Sequence, residues 1–227
     1  MSNLYGYTDY NGPGQAVADS DSDDDDPLRP GVWMEGDSLA PPCGTAVQAI
    51  HHILDFTSVS KDDTLYDLGC GDGRICLEAI ATRNCQQCVG IEIEADLVER
   101  GNHLVSTTLT NSQQERIQIM QKDLREIVST LVNKIGETEK EKDAHDTADN
   151  HNLPPPTVII LYLLPDAIKD LENDFLEMLR RLPRGFRIVC NTWGLPHVRA
   201  VKTTEYREEN RAATTSVYLY TKDSLES

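Results

Sequence analysis

Four carboxylates and three glycines carry the densest chemistry in this 227-residue chain. The stretch Asp67-Leu-Gly-Cys-Gly-Asp-Gly73 spaces its glycines G-x-G-x-G. It lies between an apolar run, Thr64-Leu-Tyr-Asp-Leu68, and a segment carrying Ile75, Leu77, Ala79 and Ile80. Glycines at a strand-to-helix junction permit a tight turn and let backbone amides approach a ligand closely. A dinucleotide site spaces them G-x-G-x-x-G and seats a pyrophosphate on the helix N-terminus. Here Asp67 precedes the turn and Asp72 lies within it. Two carboxylates there repel a pyrophosphate and suit a cationic, amino-bearing ligand. Glu92 lies near the end of a second apolar run, Val89-Gly-Ile-Glu-Ile93, about 20 residues past the glycines, where an acid accepts hydrogen bonds from ribose hydroxyls. Asp123 follows a third run, Ile117-Gln-Ile-Met120, within reach of an adenine amino group or as a helix N-cap.

These side chains share an edge only if the apolar runs are parallel strands joined by helices. The pattern supports that arrangement. A helical face carries Val47, Ile50, Ile53 and Leu54 ahead of the first strand, and Ala95 to about Leu109 reads as the helix after the second. A fourth strand is expected over Thr157–Leu164. Pro165 then opens a helix at its favoured first position, carrying Leu171, Phe175, Leu176, Met178 and Leu179. Phe186–Cys190 reads as a fifth strand, and Ala200–Tyr206 with Ser216–Thr221 as an antiparallel pair. Strands alternating with helices predict an α/β, doubly wound, Rossmann-like sheet, mostly parallel with an antiparallel C-terminal strand.

Together, Tyr66-Asp-Leu-Gly-Cys-Gly-Asp-Gly-Arg74 and Val89-Gly-Ile-Glu92 resemble the first two motifs of the class I, seven-strand S-adenosylmethionine (SAM)-dependent methyltransferases. The resemblance covers roughly Ala40 to Thr221. It implies SAM as cofactor, with Asp67, Gly69 and Gly71 at its amino-acid end, Glu92 on the ribose and Asp123 on the adenine. Asp72 and Leu161, the latter inside the fourth strand, are counted with these cofactor contacts. Leu161-Tyr-Leu-Leu-Pro165, with Pro41-Pro42 and Asp72-Gly73-Arg74, is similar to a small group of protein-lysine methyltransferases. That group includes enzymes acting on the mitochondrial adenine nucleotide carrier and on the ATP synthase c subunit. The lead-in departs from that group, being Pro-Pro-Cys where a Thr/Ser-Pro pair is usual.

On this reading Tyr162 and Trp193 stand where the acceptor enters and hold an amine by cation–π contact, with core packing as the alternative. Asn191-Thr-Trp-Gly194 forms the second wall. No N/D-P-P-Y/F follows the fourth strand, which argues against methylation of an adenine amine or a glutamine amide. No Pro-Cys occupies that place, which argues against cytosine C5 chemistry. The expected reaction is methylation of a protein lysine. The alternatives are a small-molecule methyltransferase and a non-catalytic partner subunit that keeps the fold.

Charge narrows the partners. A formal net charge of −17 repels phosphate backbones and suits a basic protein substrate rather than nucleic acid. Much of the acid sits in residues 1–30, read as a disordered tail containing Asp23-Asp-Asp-Asp26. Residues 31–222 are expected to form the catalytic domain, interrupted by a polar insertion at about 136–156. The Cys85-x-x-Cys88 pair has no second pair at ligand spacing, so no metal is expected. No membrane segment and no targeting signal are read, which points to the cytoplasm.

Overall fold

The computed structural model describes residues 44–136, 153–207 and 214–226. The acidic tail, the Pro41-Pro42 lead-in and residues 137–152 of the expected insertion lie outside the described residues. Helix α1 (Val47–Phe56) turns Ile50, Ile53 and Leu54 inward, as their i, i+3, i+4 spacing requires. Strand β1 (Thr64–Leu68) leads through the glycine turn into α2 (Arg74–Arg83). Strand β2 (Gln87–Glu92) is followed by α3 (Ala95–Thr108), the single-turn α4 (Asn111–Gln114) and β3 (Ile117–Gln121). Then come α5 (Leu124–Gly136), β4 (Val158–Leu161), α6 (Pro165–Arg181) and β5 (Arg187–Asn191). The C-terminal pair is β6 (Lys202–Tyr206) and β7 (Thr215–Tyr220).

The seven strands form one sheet in the order β3-β2-β1-β4-β5-β7-β6. The first five are parallel, and β7 runs antiparallel to both β5 and β6. Every residue of β1 and β4 is buried, as expected of central strands covered on both faces. Alternate side chains feed two cores. Tyr66, Leu68, Ile159 and Leu161 pack with α5 and α6, whereas Leu65, Val158 and Ile160 pack with α1 and α2. The order reverses direction between β1 and β4, and ligands of doubly wound sheets bind in the crevice beyond the strand ends at such a switch point.

Two differences from the sequence expectation concern β4 and the segments around β3. Strand β4 stops at Leu161, where its β1 partner Leu68 also stops. Leu164 is then extended (φ −66°, ψ 152°), the geometry that a following proline imposes. Helices α4 and α5 are additional. α5 buries Ile127, Val128 and Leu131 against the α6 side of the sheet. Among the described residues, no helix is long and apolar enough to cross a membrane.

Far from the strand ends that converge on the switch point, Asp63 closes the start of β1 onto β4 and β5. It accepts hydrogen bonds from the Ser60 amide (2.8 Å), Thr157 Oγ1 (2.7 Å) and Arg187 Nη2 (2.8 Å). Burial pushes its carboxyl up, but the bonds from Arg187, Thr157 and Ser60 together outweigh this and leave it below the ordinary carboxylate value.

Candidate functional site at the β1–β4 switch point

The turn after β1 is built from glycines in left-handed conformations. Gly69, Gly71 and Gly73 have φ of 83°, 57° and 73°, which side-chain-bearing residues adopt only with strain. The Gly69 and Cys70 amides both donate to the Ile91 carbonyl at 2.9 Å, tying the turn to β2. Two further glycines let neighbouring elements close in. A Cβ on Gly90 would stand 2.8 Å from Cys70 Sγ and 2.9 Å from Ile119 Cδ1. On Gly101 of α3 it would stand 3.0 Å from the Asp72 carbonyl oxygen.

Three of the sequence-predicted carboxylates meet at this turn. Asp67 is only 2% exposed, and its Oδ2 has no hydrogen-bond partner among the described residues. Burial pushes its carboxyl up to about 8, and the charges of Glu92 and Asp72 push in the same direction. Glu92 reaches across from β2 to accept from the Gly71 amide at 2.8 Å, while its other oxygen accepts from the Ile93 and Glu94 amides at 2.8 and 3.1 Å. Asp72 is gripped by Arg74, whose Nε and Nη2 lie 2.8 and 2.7 Å from its two oxygens, and Arg100 Nε stands 3.8 Å away. Its carboxylate, expected to face a cationic ligand, is thus already engaged by two guanidinium groups.

Asp123 lies just beyond β3 and caps α5, accepting from the Arg125 amide at 2.9 Å. The Arg125 guanidinium closes back onto both its oxygens, and this contact holds the carboxyl below the ordinary range. Leu161 is fully buried at the end of β4, between Leu68 and Cys190.

Tyr162 and Trp193, placed beside the acceptor on sequence grounds, stand together. Their rings stack with centroids 6.2 Å apart and planes 25° from parallel. Trp193 follows a strained turn in which its amide donates to the Asn191 carbonyl at 3.0 Å, with Thr192 between them at φ 74°. A β-branched residue at positive φ is an outlier. It is held there by the Thr192 amide donating to Ser216 O at 2.8 Å.

The sequence reading does not single out Ile93. It is 56% exposed, one of two large exposed apolar side chains among the described residues, and it directly follows Glu92. An apolar residue at a strand end, immediately after an acid, was the available signal. Cys85 and Cys88 are buried, and the Cys88 thiol meets those of Cys85 and Cys76. Among the described residues, no group of His, Cys, Asp and Glu is disposed to hold a metal ion.

Comparison with known proteins agrees with this geometry. Residues 44–119 match the family described as "Histone methylation protein DOT1". A curated protein-lysine N-methyltransferase of Saccharolobus islandicus (strain REY15A) is 41% identical over 54 residues, 24% of this chain. The matched stretch spans 34% of the length of that relative. Among solved structures, an RNA methyltransferase from Salinibacter ruber, in complex with S-adenosyl-L-homocysteine, is 25% identical. It aligns over 78% of this chain and 92% of its own with a TM-score of 0.56. The C-terminal domain of precorrin-6Y C5,15-methyltransferase from Rhodobacter capsulatus, 15% identical, covers 86% of this chain and 96% of its own at a TM-score of 0.50. With its strand order, glycine turn and Glu92, the chain has the class I, SAM-dependent methyltransferase fold.

Proposed function

We propose that this chain is a SAM-dependent methyltransferase whose acceptor is the side-chain amine of a protein lysine. The observation that carries the reading is the buried, unpartnered Asp67 oxygen at the glycine turn. Such an atom is costly unless a ligand satisfies it, and the ammonium of SAM's amino-acid end matches it in charge and hydrogen bonding. Glu92 would take the ribose hydroxyls, Ile93 would floor the adenine, and Asp123 would accept from the adenine amine. Gly69 and Gly71 would present backbone at the amino-acid end. Asp72, bound by its two arginines, would contribute turn geometry and negative charge. Leu161 would form part of the cleft floor.

When bound, SAM supplies a methyl group on a sulfonium, already activated for in-line displacement. The protein's task is alignment and exclusion of water. An apolar, aromatic cleft lowers the pKa of an entering lysine, favouring the neutral amine that attacks. The stacked pair of Tyr162 and Trp193 offers ring faces to that lysine's stem and head. The entering lysine ammonium would give up one proton to water before attack, and the methylated product would leave as a secondary ammonium.

The lysine relative from Saccharolobus supports this acceptor, and the net charge of −17 favours a basic protein partner. RNA is the second reading, favoured by similarity to the Salinibacter enzyme and opposed by that same charge. Residues 1–30 and 31–222 are proposed as tail and catalytic domain of a cytoplasmic protein. The test is calorimetric titration with SAM, followed by tritiated-SAM labelling of protein and RNA fractions. Micromolar binding that Glu92→Ala abolishes, with label in protein lysine, supports the reading. Absence of SAM binding removes it, and label confined to RNA replaces the acceptor.

A further inference from the structure

The chain segment after Trp193 builds a second feature that methyl transfer itself does not require. Between β5 and β6 it forms one wall of an open groove of about 550 Å³, whose lining includes Gly194, Arg199, Val201, Lys202 and Tyr218. Gly194 is the residue directly after the stacked indole, so the groove begins beside the pair proposed to hold the acceptor.

Three observations mark it as a recognition surface. The first is rigidity. His197 donates its amide to Glu172 Oε1 at 2.8 Å, and its ring Nδ1 lies 2.6 Å from Oε2, fastening the loop to α6. The Leu195 amide donates to Tyr220 Oη at 2.9 Å, and the Val201 amide to Leu219 O at 2.9 Å. A wall held this way is formed before any partner arrives, so little ordering entropy is lost on binding. The second is the sign of its charge. In a chain of net charge −17, the described residues that line the groove include Arg199 and Lys202 and no carboxylate. Neither cation makes an ion pair with a described residue. The third is apolar exposure. Val201, between the two cations, is 40% exposed in a molecule that otherwise leaves only Ile93 comparably bare among the described residues.

We infer that this groove binds the substrate polypeptide on one side of the methylated lysine, and that it selects acidic side chains there. This rests on the protein-lysine reading above and adds a local rule to it. The long-range field of the molecule favours a basic partner, while the groove reads carboxylates close to the acceptor. A peptide backbone lies along Val201 and Tyr218, and its carboxylates meet Arg199 and Lys202. Rim ion pairs of this kind act mainly on selectivity and encounter rate.

The test uses the full chain saturated with S-adenosylhomocysteine and fluorescein-labelled peptides. Each peptide has one central lysine in a Gly/Ser background, with a Glu pair or an Arg pair moved through the flanking positions. Anisotropy should show that Glu pairs on one side bind about tenfold tighter than Arg pairs. R199E/K202E should reverse that preference and R199Q/K202Q should abolish it, with SAM affinity unchanged in both. Equal binding of Glu and Arg peptides, absence of binding by either, or a preference that survives charge reversal would overturn the inference. Methyl transfer from tritiated SAM to the same peptides reads the acceptor separately. Charge-selective binding without lysine labelling keeps the groove and removes the lysine acceptor; labelling without charge selection does the opposite.

Discussion

Asp67 should surrender a proton when SAM binds. Its carboxyl, ordinarily near 3.8, is pushed up to about 8 by burial and by the neighbouring charges of Glu92 and Asp72. At pH 7 it is therefore about nine-tenths protonated in the free protein. An ammonium placed against Oδ2 reverses the balance, because an opposite charge within about 4–6 Å favours the ionised form. Binding at pH 7 should thus release close to one proton per SAM. Affinity should tighten about tenfold per pH unit between pH 5 and 7 and level off above pH 8. Calorimetry in buffers of differing ionisation enthalpy measures the proton count directly. Asp67→Asn, which keeps the shape but cannot ionise, should abolish the release and weaken SAM about a hundredfold at pH 8, the scale of an unpaired buried charge. No proton exchange in the wild type, or the same exchange in the Asn variant, would refute the assignment.

The same shift fixes how stability varies with pH in the absence of ligand. Between pH 4 and 8 the folded protein holds a proton on Asp67 that the unfolded chain has given up. The stability change with pH follows the unfolded minus the folded proton count, so it is negative here. This group's contribution therefore declines as pH rises through the window. The ligand-free Asp67→Asn protein should accordingly be the more stable one at pH 8, by a few kcal/mol, while binding SAM worse. A variant that gains stability as it loses its ligand separates a site residue from a packing residue.

Other perturbations bear on the scaffold. Asp63→Ala leaves the Arg187 guanidinium only the Thr57, Ser58 and Gly185 carbonyls, with no counter-charge, and should cost about 3 kcal/mol by urea denaturation. Because its carboxyl is held below the ordinary value, the stabilisation from wild-type Asp63 is full above pH 4 and is lost as pH falls through the folded pKa. Gly90→Ala drives a methyl against Cys70 Sγ and Ile119 Cδ1 and should destabilise by about 2 kcal/mol. Because Cys70 belongs to the glycine turn, SAM affinity measured by titration should fall with it. Thr192→Gly relieves the positive φ, a strain of about 1–2 kcal/mol, against the glycine's greater unfolded-state entropy. It should leave the melting temperature unchanged or higher, yet raise KM for the acceptor without changing SAM affinity. A fall in melting temperature would mean that the turn is not strained.

The parts of the fold legible in the sequence are those whose signal is local. β1, β2 and β4 are buried on both faces and read as short apolar runs. Pro165 marks the start of α6, and the alternation in Lys202–Tyr206 and Thr215–Tyr220 matches their antiparallel pairing. Helix α5 had a local signal too, since Leu124, Ile127, Val128 and Leu131 share a helical face. It was obscured because the helix runs directly into the polar stretch after Gly136. Asp72 and Asp123 show the other limit. Spacing marks both as acids on the binding edge. Arg100 reaches Asp72 only because Gly101 lets α3 close to the Asp72 carbonyl, a contact between residues 28 apart in the chain. Asp123 is both cap and ion-pair partner of Arg125 in its own first helical turn, so its proposed adenine contact must share the carboxylate with that arginine. Sequence thus identifies acids at the strand ends, and packing decides which of them meet at the turn and which one is left without a partner among the described residues. That one is Asp67, whose oxygen, unsatisfied among the described residues, is the atom proposed to receive the SAM ammonium.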